Sequence, residues 1–282
     1  MSKNINNITR RIGITGGTGV LGSILNKELK KKNYRVTNFK YDIQNILEVK
    51  KWVKKNNFDV IFHLAAIVPV KICEENPLKA CSVNIGGTIN ILNAIKNIKK
   101  KPWFFYASTS HVYKPQKKTL LESDEISPKS FYGHTKWISE KILVEFSKAH
   151  NLKYCCGRIF SFYDNKQPEF FLYQSIKKKL KKNKNKNIIK IINAESVIDI
   201  QKSENVAKTI IKLFEKRAEG IVNIGTGKGI TIKNFAKKIT KKKIKIETIK
   251  QKRTYSVANI KKLNSIIKND AIKKNINRNT NF

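Results

Sequence analysis

RIGITGGTGVLG, residues 11 to 22, decides the fold. Arg11 to Thr15 reads as a short apolar strand and Gly16 to Gly22 as a turn. Leu21 to Lys31 reads as a helix, with Leu21, Ile24, Leu25 and Leu29 at helical spacing and lysines at its end, where the dipole favours cations. Gly16, Gly19 and Gly22 form GxxGxxG at the junction. Glycine there permits a tight turn, lets the backbone approach a pyrophosphate and allows the helix to pack closely on the strand. The helix N-terminus meanwhile offers N–H groups to the anion. A glycine triplet by itself is weak evidence, but between a strand and a helix it predicts a dinucleotide site rather than a structural turn. Gly16, Gly19, Val20, Leu21 and Gly22 are its expected contacts.

Downstream the alternation continues. Tyr34 to Phe39 reads as a strand, Ile46 to Asn56 as a helix, Asp59 to Leu64 as a strand, Asn84 to Ile98 as a helix and Trp103 to Ala107 as a strand. A long helix is expected after Lys136, to about Ala149, followed by a buried strand over Tyr154 to Ile159. Strands separated by helices imply right-handed crossovers and a parallel sheet. The expected fold is α/β: a doubly wound parallel Rossmann sheet over residues 1–165, with a smaller interleaved C-terminal α/β substrate region over 166–282. The lysine-dense stretch 177–190 reads as a helix end and an exposed loop before a strand at Ile188 to Ile192. A second glycine cluster, NIGTGKGIT at 223–231, lacks the GxxxxGK[ST] spacing of a phosphate loop and reads as a plain turn before a helix near Ile232.

Lysine and arginine number 59 against 20 acidic residues, so the net charge is 59 − 20 = +39 on a chain that is 40% hydrophobic, enough apolar residue to build a core. Such charge invites a nucleic-acid partner. Arginine, however, occurs only at 10, 11, 35, 158, 217, 253 and 278, while lysine, asparagine and isoleucine are the residues an AT-rich genome over-supplies. The charge is therefore read as solvated surface, and no nucleic acid is expected as partner. Cys73, Cys81, Cys155 and Cys156 make no CxxC pair, and adjacent Cys155 and Cys156 would face opposite sides of a strand, so no metal site or disulfide framework is expected. The longest apolar run, Val60 to Val70, is broken by His63 and Pro69. A cytoplasmic protein with no membrane contact is expected.

The end of the second strand governs cofactor choice, because an acid there binds the ribose 2′-OH and a cation favours a 2′-phosphate. In TNFKYDI, residues 37–43, Lys40 takes that position with Asp42 two residues on, which tilts the choice between NADP and NAD toward NADP. In SFYGHTK, residues 130–136, Tyr132 and Lys136 lie one helical turn apart. A phenol with a pKa near 10 needs a neighbouring cation to exchange protons at neutral pH. YASTSHVY, residues 106–113, ends a strand and offers the hydroxyls of Ser108, Thr109 and Ser110.

Taken together, GGTGVLG, FHLAA at 62–66, NIGGT at 84–88, ASTSHVY and YGHTK resemble the NAD-dependent epimerase/dehydratase family of the extended short-chain dehydrogenase/reductase superfamily, which acts on nucleotide sugars. The likeness continues more weakly through GRIFSFY at 157–163, SVID at 196–199 and NIGTGKGITI at 223–232. It implies Tyr132 as acid/base, Lys136 as the ribose-bound cation that lowers its pKa, Thr109 as the hydroxyl on the reacting sugar oxygen, and Asn84 as the residue completing their hydrogen-bond network. It also implies that Leu64, Ala65 and Ala66 line the cofactor, that Ser108, Thr109, Ser110 and Arg253 line a nucleotide-sugar substrate, and that the protein is a homodimer. The implied reaction exchanges hydride between the nicotinamide and a hexose carbon, usually C4.

Departures from the family pattern bear on the substrate. The sugar 4,6-dehydratases carry an Asp-Glu pair where this chain has Ser110 and His111, which disfavours simple dehydration. An imidazole at 111 is suited to moving a proton next to a ketone; the competing reading is a histidine that packs or binds a backbone carbonyl. The family's arginine before the SVID-like Asp is here Ile198, and Arg253 in QKRTYS matches a later one without its Pro or Asp. The short link before Asp42 resembles the 4-keto-sugar reductases. Two alternatives remain: the same fold acting on a non-nucleotide substrate, or a catalytically silent relative binding NAD(P) or RNA.

Overall fold

The computed structural model describes residues 10–182, 188–240, 245–249 and 253–276. From the N-terminus the chain forms β1 (Arg11–Thr15), α1 (Val20–Lys31), β2 (Arg35–Asn38), α2 (Ile46–Asn56), β3 (Val60–His63), α3 (Val70–Glu75) and α4 (Pro77–Cys81). A π-helical turn (Ser82–Gly86) runs into α5 (Gly87–Lys96), then come β4 (Trp103–Thr109), a 3₁₀ turn (Ser110–Val112), α6 (Phe131–His150) and β5 (Tyr154–Ile159). The second half adds β6 (Ser161–Tyr163), α7 (Leu172–Lys182), β7 (Ile188–Ile192), β8 (Val197–Ile198), β9 (Ile200–Lys202), α8 (Ser203–Glu215) and β10 (Gly220–Ile224). It closes with β11 (Ile230–Thr231), α9 (Ile232–Ile239), β12 (Lys245–Ile249), β13 (Tyr255–Ser256) and α10 (Lys261–Ile276).

Six strands form one parallel sheet in the order β10-β5-β4-β3-β1-β2. Strand order reverses between β1 and β3, and in such sheets ligands bind in the crevice beyond the carboxyl ends of the strands at that point. The sheet is covered on both faces, which is why its strands are continuously apolar rather than alternating. On one face Ile12, Ile14, Phe62, Phe105 and Cys155 pack with Leu25 and Leu29 of α1 and Ile210 and Phe214 of α8. On the other, Ile61, Phe104, Tyr106 and Cys156 pack with Trp52 of α2, Ile91 of α5 and Leu143 of α6. Cys155 and Cys156 thus face opposite sides, as their adjacency in a strand requires.

The chain leaves this sheet after β5 and returns through α8, which packs on α1, and through β10 on the outer edge. The excursion builds small sheets pairing β6 with β9, β7 with β12, and β8 with β11 and β13. A separate core of Ile176, Ile189, Ile191, Phe235 and Ile246 supports them. The turn in NIGTGKGIT is organised by Asp199, which accepts from the Thr226 N–H and hydroxyl (2.9 and 2.6 Å) and from the Gly227 N–H (2.9 Å). In the lysine-dense stretch, residues 183–187 lie outside the described residues. Among the described residues no helix is long and apolar enough to cross a membrane.

Two expected helix boundaries are corrected. The long helix begins at Phe131 rather than after Lys136, because the Ser130 hydroxyl caps it by accepting from the Gly133 N–H at 3.1 Å. The helix expected over Asn84 to Ile98 is split: Asn84 lies in the π-helical turn and regular helix spans only Gly87–Lys96.

His63, at the end of β3, ties three elements together. Its Nδ1 lies 2.7 Å from the Thr15 hydroxyl and its Nε2 3.1 Å from that of Thr88. Burial holds the imidazole neutral, with its pKa lowered to about 3, and the Lys136 charge adds to the shift. Unfolding restores the ordinary value of 6.5, so the unfolded chain binds the extra proton first as the pH falls. The native state should therefore lose about 1.4 kcal/mol per pH unit between roughly 6.5 and 3 through this residue. Denaturant titrations of the wild type and His63→Gln at several pH values measure this; a flatter acid limb in the variant is expected, and parallel limbs would contradict it.

Candidate active site

At the carboxyl end of β1 the glycine turn has no room for side chains. Gly16 has a φ of +71°, and a Cβ on it would lie 2.6 Å from the Ala65 nitrogen. On Gly22 a Cβ would lie 2.1 Å from the Gly16 carbonyl oxygen. Leu64 and Ala65 close the other wall, with the Leu64 N–H donating to the Thr15 carbonyl (3.1 Å) and the Ala65 N–H to the Thr15 hydroxyl (3.3 Å); Ala66 follows on the same segment. Helix α1 starts at Val20 and Leu21 behind Gly19, without a side-chain cap, so its amide end faces the crevice unblocked.

The end of β2 differs from the sequence expectation. The strand ends at Asn38, one residue short of Phe39, and Asn38 rather than Lys40 stands against the turn: its Oδ1 would touch a Cβ on Gly17 at 2.4 Å. That Oδ1 is buried without a hydrogen-bond partner among the described residues. Lys40 is exposed. Asp42 is held by its own loop, accepting from the Gln44 N–H (3.0 Å) and side-chain amide (2.8 Å) with Lys79 at 3.9 Å, and these contacts keep its carboxyl below the ordinary value. A glycine cradle that a Cβ would fill, an uncapped helix end and an orphaned amide oxygen together fit a nicotinamide dinucleotide.

The catalytic candidates meet where β4 ends. Thr109 is its last residue, and its hydroxyl accepts from the His111 N–H at 3.3 Å. Tyr132, in the first turn of α6, lies beside the Thr109 side chain, whose hydroxyl favours the phenolate. Cys73, Ala80, Ile67, Val70 and Phe131 form the apolar wall around its ring. Lys136, one turn on, is buried, with its ammonium 4.2 Å from the centre of the Tyr106 ring. Burial lowers its pKa to about 8. In the protein alone, burial drives the Tyr132 phenol well above its ordinary value, and the Thr109 hydroxyl opposes that shift. Cys73 was missed in the sequence. It is a wall residue, its thiol bonded to the Ile67 carbonyl (3.4 Å) and pushed up in pKa by burial.

His111 meets Tyr132 edge-on at 5.8 Å. Its carbonyl would lie 2.6 Å from a Cβ on Gly133, so glycine there lets the 3₁₀ turn close onto α6. Water reaches the ring from the cleft, while the protein around the rest holds the imidazole pKa below its ordinary value. Ser110, in the same turn, is half-buried.

Three expected residues lie elsewhere. Ser108 is turned under the sheet end and donates to the Glu140 carboxylate, because successive strand residues face opposite ways; it does not line the substrate cleft. Asn84 bonds neither Thr109, Tyr132 nor Lys136. Its side chain accepts from the Ile67 N–H (2.7 Å) and donates to the Ile67 carbonyl and the Thr135 hydroxyl (both 3.0 Å), fixing the cleft wall instead. Arg253 is exposed just before β13, beside the β8 strand that carries Ile198, and has no contact with the Thr109–Tyr132 pair.

Beneath Ser108 lies a pair the sequence did not disclose. Arg158 of β5 donates through Nε and Nη2 to Glu140 of α6 (3.1 and 2.8 Å) and through Nη1 to the Glu122 carbonyl (3.0 Å). Its guanidinium lies 4.7 Å from the Tyr113 ring centre.

The family model described as GDP-mannose 4,6 dehydratase matches residues 37–280. Among curated relatives, a UDP-glucose 4-epimerase of Mycoplasma genitalium is 28% identical over 54% of this chain and 52% of its own length. The chain thus spans about half of that relative. A putative UDP-glucose 4-epimerase of Methanocaldococcus jannaschii is 28% identical over 78% of each chain. Of solved structures, the UDP-glucose 4-epimerase of Thermus thermophilus in complex with NAD superposes with a TM-score of 0.79 at 21% identity, covering 90% of this chain and 92% of that one. RMD of Pseudomonas aeruginosa, complexed with NADPH, gives 0.83 at 17% identity over 92% and 93%. A dTDP-4-dehydrorhamnose reductase of Clostridium acetobutylicum gives 0.77 at 26% identity over 93% and 92%.

Proposed function

The chain belongs to the NAD-dependent epimerase/dehydratase family of extended short-chain dehydrogenase/reductases, and on that premise we propose that it is an NAD(P)-dependent oxidoreductase or epimerase acting at a hexose carbon, C4 by preference, of a nucleotide-activated sugar. The observation that carries this is Thr109 beside Tyr132, with Lys136 buried one turn away, at the carboxyl ends of the strands that also end in the glycine cradle.

A bound nicotinamide dinucleotide would supply the hydride acceptor and donor; residues 16–22 and Asn38 would hold its pyrophosphate and adenosine ribose, and Lys136 its other ribose. The chain's own task is proton traffic. Thr109 fixes the reacting sugar hydroxyl against the Tyr132 oxygen, and Tyr132 takes the proton and returns it. Lys136, with its pKa brought down to about 8, is charged at neutral pH, and a cation one turn from the phenol favours phenolate once further positive charge enters the cleft. Cys73 and the apolar wall exclude water from that transfer. Ser110 and His111, in place of an acidic pair, favour epimerisation or reduction over loss of water. Purified protein should bind NADPH or NADH with saturable fluorescence enhancement; binding of neither would end the proposal at its first step.

Asn38 sharpens cofactor choice. Its neutral amide leaves a 2′-phosphate unopposed and exposed Lys40 adds a cation nearby, which supports NADP as the preferred cofactor. Asn38→Asp would set a carboxylate against that phosphate, and the NADPH-to-NADH affinity ratio should fall about 10-fold or more, roughly 1.4 kcal/mol per decade. An unchanged ratio in paired fluorescence titrations would remove Asn38 from the site.

One observation favours a second reading, a substrate without a nucleotide diphosphate. Ile198 stands where the family grips that group with arginine, and Asp199 beside it is taken up by the Thr226–Gly227 turn. Turnover of a free or singly phosphorylated sugar in preference to every nucleotide sugar would favour it.

A further inference from the structure

The amino ends of the strands, on the opposite edge of the sheet from the glycine cradle, carry a cleft of about 300 Å³. Lys100, Lys101, Lys153 and Arg217 line it together with Asp59, Glu219 and buried Trp103. Each carboxylate already has a lysine: Asp59 pairs with Lys100 at 3.0 Å and Glu219 with Lys153 at 3.1 Å. Lys101 and Arg217 are left over, a surplus of two positive charges facing one small volume.

Arg217 is the informative member. It follows the C-terminus of α8 with a φ of +50°, in the left-handed region where Gly or Asn is usual. Among the described residues its guanidinium makes no hydrogen bond or ion pair. It lies 5.3 Å from the centre of the Phe214 ring, and the Arg10 guanidinium lies 5.4 Å from the same ring. Two guanidinium groups sharing one aromatic ring repel each other, and partial desolvation and that repulsion both lower the Arg217 pKa. A backbone outlier occupied by an unpartnered cation is a feature that a bound anion would explain. Composition does not explain it, for the chain uses lysine almost everywhere and holds only seven arginines, two of them at this ring.

We propose that this cleft is a binding site for a dianionic phosphate group, on a phosphorylated small molecule, with the Arg217 fork and Lys101 as its principal contacts. A phosphate monoester carries about −1.5 to −2 charge at neutral pH, which matches the surplus, and arginine can bind its oxygens bidentately. The volume admits a ligand at the lower end of small-molecule size. The seven-residue length of β4 separates the cleft from Thr109 by roughly 20 Å, so occupancy does not compete with substrate.

Trp103 supplies a local readout, because its indole N–H donates to the Ala218 carbonyl (3.0 Å) beside Arg217. Titration with pyrophosphate or inorganic phosphate in 150 mM KCl, followed by the Trp103 indole NMR resonance, should saturate. Inorganic phosphate should saturate as well as pyrophosphate, and saturation by pyrophosphate alone would overturn the single-phosphate site. Arg217→Asn suits the left-handed position and should keep the thermal midpoint while weakening binding at least 10-fold. Lys237→Gln, on α9, should leave binding unchanged. A response that never saturates, that is equal in wild type and Arg217→Asn, or that Lys237→Gln weakens equally would overturn the proposal. So would an RNA oligonucleotide shifting Trp103 where neither phosphate does.

Discussion

Tyr132→Phe is expected to lower kcat about 10²- to 10⁴-fold while leaving the cofactor Kd within about twofold. The substitution removes one oxygen and leaves the ring where it packs, against Cys73, Ala80, Ile67 and Val70. Folding should therefore be intact, and the loss should fall on proton transfer alone. Thr109 keeps its bond from the His111 N–H in the variant, so the strand end is not released. Steady-state turnover together with a NADPH fluorescence titration separates the two effects. Turnover retained within 10-fold would move the proton to another group, for which His111, edge-on to Tyr132, is the nearest candidate.

Arg158→Met is expected to destabilise the fold by about 3–5 kcal/mol, the usual cost of leaving one partner of a buried pair uncompensated. Arg158 and Glu140 are each nearly inaccessible to water, with side-chain exposures of 4% and 3%. Methionine fills most of the arginine stem's volume, so the loss isolates the charge of Glu140, whose other neighbour is the Ser108 hydroxyl. Glu140→Gln added to Arg158→Met should recover part of the loss. Chemical denaturation of the wild type and the two variants measures this. A loss below about 1 kcal/mol for Arg158→Met at pH 8 would mean that water reaches Glu140 and that the pair does not anchor the strand end carrying Thr109.

The sequence disclosed the frame of this molecule because its strongest signals are local. Arg11–Thr15, Ile46–Asn56 and Tyr154–Ile159 are found at the bounds their apolar patterns predict, and the glycine turn stands between strand and helix as its spacing requires. Signals one residue wide were less legible. Phe39 is buried and extends the apolar pattern of β2, yet the strand stops at Asn38, which moves the proposed cofactor-selective position from Lys40 to Asn38. Ser130, a single capping hydroxyl, decides that Tyr132 lies inside α6. Contacts between distant segments were not legible at all. Nothing in the spacing of charged residues distinguishes Glu140 and Arg158 from the many solvated charges, and the cleft at the strand starts gathers residues from 59 to 219. The same limit explains Ser108 and Asn84, whose motifs placed them beside the chemistry while their side chains bond to Glu140 and to the Ile67 backbone.

Hydride should pass between a sugar carbon beside Tyr132 and the nicotinamide of a dinucleotide whose pyrophosphate rests on Gly16–Gly22. Nicotinamide deuterated at C4 of the reduced ring, incubated with the protein and a panel of nucleotide hexoses and 4-keto hexoses, tests it when the recovered sugars are read by NMR. Deuterium at a single sugar carbon, C4 foremost, with at least one substrate and its loss in Tyr132→Phe is the predicted result. Saturable cofactor binding with no deuterium in any sugar, nucleotide-linked or free, would contradict the account.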